Sequence, residues 1–511
     1  MPWLNLSFCC SGSSKPDFEP LPHAGERTND LERQPMLPHV ALPPPTKPAD
    51  EGCCTDRCKM ICCCVSVALC PLVTLLLYLL IEVLIYLYAH QSFQPWVLQH
   101  PDSLVASVFL PPIALLDSIY VGRTDAFLNA RETYGNNFAA AGMVWLSSFD
   151  DVAKTLTSPQ ARTYQLGEHP LLYSALPDVE RSRNVFLLSL SDEEAGGSGA
   201  HAAFRSAFMK TLVTAPEVEK RRNDNTSAAL LDRLVKDYTE LPHGNMTSEF
   251  FSSWERGLVP FIVHYLHYIM FGLDPSDDEM LATLEAFLMG EGQIGHYFWP
   301  HGYFMAHDDV IEKVIAVYMK SPAFEDYDED NPKFFNMTKR ELAASASSIM
   351  RIAGVQGFYQ TSKIVLGAFY MQEYPGQSER FDQRTVWDKL NLTDTEEIQQ
   401  YIMECIRLDS PVSVTHHVAT EDFSVDMRGT TYDYPKGTKI AVPIGLGNLD
   451  PDFWGEDVYD FNISRPKLKD NLLSFHSRGD EHAGRECPGK KIVMKTLTQM
   501  VARIGEVRRG P

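Results

Sequence analysis

An uncharged, apolar segment from Ile61 to Ile81 divides this chain into a tail and a body of different composition. At about 1.5 Å per residue, a helix of this length spans the roughly 30 Å of hydrocarbon in a lipid bilayer. We therefore predict a transmembrane anchor over residues 61–89. A cleaved signal peptide is the alternative, but the segment is too long for one and lies too far from Met1.

The tail, residues 1–60, is rich in proline and shows no apolar periodicity, so we predict that it is extended and disordered. All of the 11 cysteines except Cys405 and Cys487 lie at or before Cys70. Two cysteines are too few for a disulfide framework in the body. The crowded cysteines suit S-palmitoylation, with apolar packing and a metal site as alternatives.

Basic residues predict the orientation of the anchor. Lys47, Arg57 and Lys59 precede it, whereas the first basic residue after it is Arg123, so the tail should face the cytosol and the body the lumen. We expect a single-pass protein of the endoplasmic reticulum, in contact with bilayer lipid. A glycosylated body would agree with this, because five acceptor sequons follow the anchor, at Asn225, Asn245, Asn336, Asn391 and Asn462.

The body, residues 91–511, has no internal repeat and no long linker. We predict one large domain, mainly α-helical with small β-sheets. The chain carries 45 basic and 67 acidic residues, a net charge of -22 that would repel a phosphate backbone. We therefore expect no nucleic-acid partner.

Two capping boxes predict where helices of the body begin. Thr338 with Glu341 opens a long helix that continues to about Met371. Thr393 with Glu396 opens a second helix, which ends at Leu408 before a proline-containing turn.

Cys487 precedes Pro488 and an amphipathic helix near the C-terminus. A thiolate at a helix N-terminus is stabilised by free backbone N–H groups, and Arg485, Lys490 and Lys491 add positive potential. Such a sulfur can act as a nucleophile or as a metal ligand. Taken alone, a cysteine of this kind is more often an inert core residue.

The neighbouring motifs favour the metal ligand. Glu404 and Arg407 lie three residues apart on the second helix, and Arg465 follows in DFNISRP. A carboxylate between two guanidinium groups can fix a helix to a following loop. A long helix, E-x-x-R, a β segment, F-x-x-x-R and R-x-C-x-G follow one another in this order. In this order of motifs, over most of the body, the chain resembles the cytochrome P450 superfamily of haem-thiolate proteins.

The resemblance implies a haem cofactor, with Cys487 as the axial thiolate that donates electron density to the iron. It makes Gly489 the small residue that lets the next helix approach. It also makes Glu404, Arg407 and Arg465 the structural triad of that family.

The resemblance further implies cationic partners for the haem propionates, which are costly to bury unpaired. These are His201 and Arg205 in HAAFR, His417 and Arg485. From the residues alone, the first two are a solvated helical pair and His417 is an ordinary loop histidine.

The distal helix departs from the monooxygenase pattern of the family. In AGVQGF, Ala353 and Gly354 fit that pattern, but Gln356 and Gly357 stand where an acid and an alcohol deliver protons to oxygen. An amide cannot act as a general acid, but it can hydrogen-bond to a peroxide. We place Ala353, Gly354 and Gln356 at the catalytic site, and expect the glycines to loosen the helix and leave room for a ligand.

The cysteine loop departs as well, because Asp480 stands where the family has a phenylalanine, and the nearest candidate is Phe475. A loop extended in this way is similar to that of the plant allene oxide synthases and hydroperoxide lyases. These relatives rearrange fatty-acid hydroperoxides without external electrons.

We therefore predict a membrane-anchored haem-thiolate oxidoreductase of lipid metabolism that acts on a hydrophobic, lipid-like substrate. It is either driven by peroxide or rearranges a hydroperoxide. A lumenal body would also be separated from a cytosolic flavoprotein reductase. The first alternative is a conventional monooxygenase with such a flavoprotein as electron donor. The second is a non-catalytic haem-binding membrane sensor or scaffold, and the third is an interaction domain without haem.

Overall fold

The computed structural model describes residues 128, 131, 135–140, 143–157, 161–163, 205–240, 248–289, 308–330, 338–367, 383–412, 414–479 and 486–510. All of them lie within the unit Tyr78–Pro511. The predicted tail (residues 1–60), with its cysteines, and the predicted anchor (residues 61–89) lie outside the described residues.

Most of the described residues are helical. The α-helices are α1 (Phe149–Thr157), α2 (Pro216–Arg222), α3 (Asn225–Glu240), α4 (Ser248–Ser252), α5 (Leu258–Phe271), α6 (Asp278–Met289), α7 (Asp308–Met319), α8 (Lys339–Ile349), α9 (Gln356–Val365), α10 (Gln383–Lys389), α11 (Thr395–Leu408), α12 (Ile444–Asn448), α13 (Pro451–Trp454), α14 (Leu468–Asn471) and α15 (Lys490–Arg509). Two π-helical segments, Met209–Val213 and Met350–Val355, and two 3-10 turns, Pro322–Phe324 and Leu473–Phe475, complete the helical part.

In the part of the chain that the structure describes, seven short strands form two small sheets. They are β1 (Asn137–Ala140), β2 (Met143–Leu146), β3 (Ala161–Thr163), β4 (Thr415–Ala419), β5 (Phe423–Met427), β6 (Thr430–Tyr434) and β7 (Lys439–Val442). The larger sheet has the order β1-β2-β7-β4-β3, in which β2 and β7 are parallel and the other neighbours antiparallel. Strands β5 and β6 form a separate hairpin, whose turn residues Arg428 and Gly429 have φ of 50° and 76°, as a two-residue hairpin turn requires.

Buried apolar side chains form two clusters. One lies among the helices and includes residues of α5, α7, α8, α11 and α15. The other lies between the larger sheet and the helices α1 and α12. Met403 and Phe461 pack against both clusters, so the sheet and the helices share one continuous core. The predicted fold, mainly helical with small sheets, is confirmed in the part of the chain that the structure describes.

The capping box at Thr338 is confirmed. Its hydroxyl accepts from the Glu341 N–H at 3.1 Å, and its own N–H donates to the Glu341 carboxylate at 2.8 Å. The long helix runs through α8, the π segment Met350–Val355 and α9. It ends at Val365 rather than at the predicted Met371, because Gly367 follows with a φ of +80° and closes the helix with a turn.

The cap of α11 differs from the prediction by one residue. Asp394, not Thr393, is the N-cap, since its carboxylate accepts from the N–H groups of Glu396 at 2.9 Å and Glu397 at 3.2 Å. Thr393 instead donates its hydroxyl to Asn391 at 2.8 Å. The predicted end of the helix at Leu408 is confirmed.

The amphipathic helix predicted after the cysteine is α15, which begins at Lys490 with Gly489 as its N-cap. The buried apolar residues of this helix are Ile492, Leu497, Met500, Val501 and Ile504.

The predicted location in a membrane is contradicted. In the part of the chain that the structure describes, no helix is both long and apolar enough to cross a bilayer. Helix α5, whose sequence LVPFIVHYLHYIMF is uncharged, has 14 residues, and about 21 Å of helix falls short of roughly 30 Å of hydrocarbon. This corrects the prediction of a single-pass protein of the endoplasmic reticulum with a lumenal body.

Candidate functional site

Cys487 lies in the turn that leads into α15. Its N–H donates to the Phe475 carbonyl at 2.8 Å, and its carbonyl accepts from the Lys490 N–H at 3.2 Å. The backbone N–H groups of Gly489 and Lys490 donate to its sulfur. The turn therefore directs two of the unsatisfied donors of a helix start at the thiol, the arrangement that an anionic sulfur needs.

The pKa of the Cys487 thiol nevertheless moves upward. Burial is the largest cause, and it outweighs the two backbone donors and the positive charge of Arg205. Burial therefore offsets the stabilisation that the helix N-terminus gives to a thiolate. A metal ion bound to this sulfur would displace the proton and keep the thiolate.

Phe475 is brought to the cysteine although it lies twelve residues before it in the chain. Besides the backbone bond to Cys487, its ring lies 5.7 Å from the Lys490 Nζ, and Lys490 pairs with Glu486 at 2.7 Å. Asp480 and Arg485 lie outside the described residues. The sequence indicates Phe475 only as the nearest phenylalanine before the cysteine. The hydrogen bond itself joins residues twelve apart across a loop, and no helical or strand periodicity encodes it.

Arg205 lies in a helical stretch just before the π segment Met209–Val213 and is half-buried. Burial lowers its pKa, while the nearby Cys487 and Glu486 raise it. Arg205 and Cys487 are therefore close in space, although far apart in the chain. His201 lies outside the described residues.

Gly489 stands next to the sulfur. A Cβ at this position would lie 3.8 Å from the Cys487 Sγ and 4.0 Å from Val493, which is ordinary contact. The described protein atoms alone thus do not require glycine here. A group bound to the sulfur would need this space and would explain a glycine at position 489.

His417 is buried on β4, paired with Ile440 of β7. Its Nε2 lies 3.0 Å from the Thr415 hydroxyl, and its ring centroid lies 5.7 Å from that of His476. His476 directly follows Phe475, whose carbonyl holds the cysteine. The sheet therefore places His417 against the same loop.

Glu404, Arg407 and Arg465 are in direct contact and buried. The carboxylate of Glu404 accepts from Arg407 at 2.7 and 2.9 Å and from Arg465 at 3.3 Å. Arg407 also donates to the carbonyls of Asn448 and Val458, at 2.9 and 2.8 Å. The group thus joins α11 to the segment that leads to the cysteine.

The remaining donors of Arg465 go to that segment. They reach the carbonyls of Asp457 at 2.7 Å and Asp460 at 3.0 Å, and the Asp457 carboxylate at 3.1 Å. Burial lowers the pKa of Arg407, but the Glu404 carboxylate favours its charged form. The buried charges of the carboxylate and the two guanidinium groups compensate one another only when all three residues are present.

The residues predicted for the catalytic site, Ala353, Gly354 and Gln356, lie where the long helix is irregular. Ala353 and Gly354 belong to the π segment Met350–Val355, and Gln356 begins α9. Ala353 is exposed and Gln356 half-buried, in a helix whose neighbouring residues are core. A Cβ on Gly357 would meet nothing within 4 Å. A π segment of this kind is frequent at functional sites, because it changes the face that the following residues present.

These residues fit a haem. The chain supplies a soft sulfur ligand and a cation next to it, the donor set that a haem-thiolate site needs.

No family model matches the chain. It is 30% identical over 138 residues to cytochrome P450 709B3 of Arabidopsis thaliana, covering 24% of this chain and 25% of the relative. It is 37% identical over 71 residues to cytochrome P450 714B3 of Zea mays, covering 14% and 13%. The chain thus matches at most a quarter of the length of these curated relatives.

Solved structures resemble the chain over most of its length. CalO2 is 16% identical, with a TM-score of 0.50 and coverage of 75% of this chain and 87% of that one. Mycobacterium marinum cytochrome P450 CYP150A6, in the substrate-free form, is 17% identical, with a TM-score of 0.49 and coverage of 74% and 84%. Identities this low show the fold alone. The sequence relatives confirm the resemblance of this chain to the cytochrome P450 superfamily, which implies haem as its cofactor.

Proposed function

We propose that the protein is a haem-thiolate oxidoreductase of the cytochrome P450 type that uses a peroxide or a lipid hydroperoxide. The observation that carries the proposal is the pair Gln356–Gly357, directly after the π segment Met350–Val355, in place of a proton-delivering acid and alcohol. A peroxide already contains the reduced O–O bond, so no proton delivery from this helix is needed to form it.

Cys487 would hold the haem iron, and Arg205 and His417 would pair with the propionates, together with His201 and Arg485. The bound group would supply O–O bond cleavage, which a thiolate ligand favours. The triad of Glu404, Arg407 and Arg465 would act indirectly, by fixing the segment before the cysteine.

Gln356 would orient the reacting oxygen. Its amide N–H can donate to a peroxide oxygen, and its carbonyl can accept from a hydroperoxide O–H. It cannot release a proton at neutral pH, so it would position the oxygen without protonating it. Gly357, next in the chain, leaves space that a valine or threonine would fill.

A hydrophobic substrate agrees with the surroundings of this helix. Met350, Val355 and Phe358 are buried members of the helical cluster, on the same stretch as Gln356. An apolar chain would gain free energy on leaving water for such a site. A lipid hydroperoxide combines this apolar body with the required oxygen.

A reductase-dependent monooxygenase is the second candidate, and the cytochrome P450 relatives favour it. One sequence argument against it no longer holds. Separation from a cytosolic flavoprotein assumed a lumenal body, and that location is contradicted. The distal helix alone therefore distinguishes the two candidates.

The first experiment tests the ligand. The purified, haem-loaded protein should give the thiolate type of spectrum when reduced under carbon monoxide, and Cys487→Ser should abolish it. A thiolate spectrum that persists in the serine variant would reject this assignment.

The second experiment supplies a fatty-acid hydroperoxide without reductase. We expect turnover, and we expect the double variant Gln356→Glu with Gly357→Thr to lose most of it and to gain reductase-dependent oxidation. Gln360→Glu, on the same helix and also half-buried, is the matched control and should keep the wild-type turnover. Strict dependence of the wild type on NADPH and a reductase would establish the monooxygenase instead.

A further inference from the structure

A histidine and a tyrosine form a buried pair that the proposed function does not use. His267 of α5 and Tyr318 of α7 are 1% and 0% exposed. The His267 Nε2 lies 2.8 Å from the Tyr318 hydroxyl, and its Nδ1 lies 2.7 Å from the Val263 carbonyl. The pair thus joins two helices inside an apolar core.

The hydrogen-bond partners fix where the protons are. The Val263 carbonyl can only accept, so the Nδ1 of His267 must carry a proton. Burial lowers the pKa of His267 to about 4, so its ring is neutral at pH 7 and its Nε2 has a free lone pair. The Tyr318 hydroxyl must therefore be the donor, and burial raises its pKa, which keeps it protonated.

The surroundings of the pair are aromatic. Phe271 stacks on Tyr318 with ring centroids 4.0 Å apart, and Phe324 lies 6.4 Å from Phe271. Tyr327, which is half-buried, lies 6.0 Å from Phe324. This series of rings leads from the buried tyrosine toward the surface.

The pair also lies in the same core as the distal helix. Helix α5 contacts the π segment Met350–Val355 and α9, and α7 packs against α8. An oxidant formed next to that helix would have the tyrosine among its core neighbours.

We propose that Tyr318 and His267 are a redox-active pair, which rests on the proposed function because the haem supplies the oxidant. Tyr318 would give up one electron to the oxidant that a bound haem would supply in the presence of peroxide. The phenolic O–H bond breaks and its proton forms an N–H bond with the Nε2 of His267. The products are a neutral phenoxyl radical and an imidazolium. An added one-electron reductant, such as ascorbate, restores the phenolate oxygen, which takes its proton back from His267.

The hydrogen bond is what makes this oxidation feasible. Loss of an electron alone would leave a cationic ring in an apolar core, which is costly. Transfer of the proton leaves a neutral phenoxyl ring and moves the charge to the imidazole, which is the stronger base and whose Nδ1–H already donates to Val263. The pair would remove oxidising equivalents from the site when no substrate is bound.

The test uses the full, haem-loaded chain mixed with hydrogen peroxide without substrate, frozen, and examined by electron paramagnetic resonance. We expect a tyrosyl radical that Tyr318→Phe abolishes. Tyr265→Phe is the matched control, because Tyr265 is equally buried but bonds to Thr496 at 3.3 Å instead of an imidazole, and it should keep the signal. A signal unchanged in Tyr318→Phe would overturn the proposal.

A second variant tests the proton transfer. His267→Gln keeps the tyrosine and can still hydrogen-bond to it, but an amide is not a base, so the radical signal should be lost. If His267 only holds Tyr318 in place and accepts no proton, the yield of the tyrosyl radical should be unchanged in this variant. If Tyr318→Phe does not fold, 3-fluorotyrosine at position 318 keeps the hydrogen bond. It should then add a fluorine splitting to the signal, and an unsplit signal would overturn the assignment.

The two proposals fail in distinguishable ways. A protein with the thiolate spectrum and peroxide-driven turnover but no radical at Tyr318 rejects only the redox pair. A protein without the thiolate spectrum rejects the proposed function, whatever radical it forms.

Discussion

At the scale of one residue, the buried carboxylate of Glu404 is the centre of a group of ion pairs. It is fully buried and pairs with Arg407 and Arg465, whose other donors bind backbone carbonyls of the segment leading to Cys487. Replacing the entire group with apolar residues could be neutral, but removing one member leaves buried charges without compensation.

We expect Glu404→Ala to lower the free energy of unfolding by about 3–5 kcal/mol, because two buried guanidinium groups lose their carboxylate. Urea unfolding followed by circular dichroism measures the change. Lys236→Ala removes an exposed ion pair with Glu240 and should cost no more than about 0.5 kcal/mol. A loss in Glu404→Ala as small as that of the control would contradict the role of the buried group.

His264 on α5 makes stability depend on pH. Burial, and then the charge of Arg233, lowers its pKa to about 4. Among the described residues, its buried Nε2 has no hydrogen-bond partner. In the unfolded chain the pKa is about 6.5, so below that pH the unfolded state binds the proton first. Its contribution is therefore complete above pH 6.5 and is lost as the pH falls from 6.5 toward 4.

On this basis the wild type should lose about 1–2 kcal/mol more than His264→Phe between pH 7 and pH 5. The difference between the two proteins isolates this residue, because the carboxylates titrate in both. Parallel urea titrations at the two pH values provide the measurement. Equal losses in wild type and variant would show that His264 does not control this dependence.

Sequence reasoning at this scale identified residues by type and spacing. The R-x-C-x-G motif predicts a metal ligand at Cys487, and the E-x-x-R motif predicts an ion pair between Glu404 and Arg407. Asp394 as the cap of α11 was missed by one position, because Thr393 and Asp394 are both good caps and only the geometry decides. The bond from Cys487 to Phe475 was out of reach, since no periodicity encodes a contact across a loop.

At the scale of one element, the π segment Met350–Val355 interrupts the long helix. Two glycines in the sequence predicted a loosened middle, and the structure places the irregularity there. Only Gly357 has open space around it, since a Cβ on Gly354 would come within 2.9 Å of the Met350 sulfur. The position of the irregular helix segment could therefore be predicted from the sequence, but its π-helical geometry could not.

Two alanine substitutions separate helix propensity from packing. Gly357→Ala should stabilise the protein by about 0.5–1 kcal/mol, because alanine is the better helix former and its Cβ meets nothing. Gly505→Ala, also inside a helix, places a Cβ 2.9 Å from Leu392 and 3.0 Å from the Trp387 indole nitrogen, and should cost about 1–3 kcal/mol.

Both alanine variants are measured by urea unfolding with the same probe. A ranking in which Gly505→Ala is at least as stable as Gly357→Ala would show that packing at α15 is looser than these distances indicate.

At the scale of the whole molecule, the proposed site gathers residues from distant parts of the chain: Arg205, His417 and Cys487. The sheet does the same, because β2 pairs with β7 about 300 residues later. Alternating and helical patterns in the sequence predict which elements form. They carry no information on pairing between elements so far apart, so the fold class could be predicted and the strand order could not.

Haem should therefore stabilise the whole chain rather than one segment. With free haem at about 100 times its dissociation constant, mass action adds about 2.7 kcal/mol to the free energy of unfolding. Thermal unfolding with and without haem should show this as a rise in Tm, and Cys487→Ser should lose most of the rise. An equal rise in the serine variant would indicate haem adsorption away from the sulfur.

The hydrogen bond between the Cys487 N–H and the Phe475 carbonyl fixes both ends of the cysteine loop. The position of the sulfur is therefore set by this bond and by the turn into α15, and is independent of the number of residues in between. Insertions and deletions can accumulate there during evolution while the ligand stays in register. A signature that counts residues back from the cysteine will overlook such proteins, whereas one that allows a gap of any length will find them.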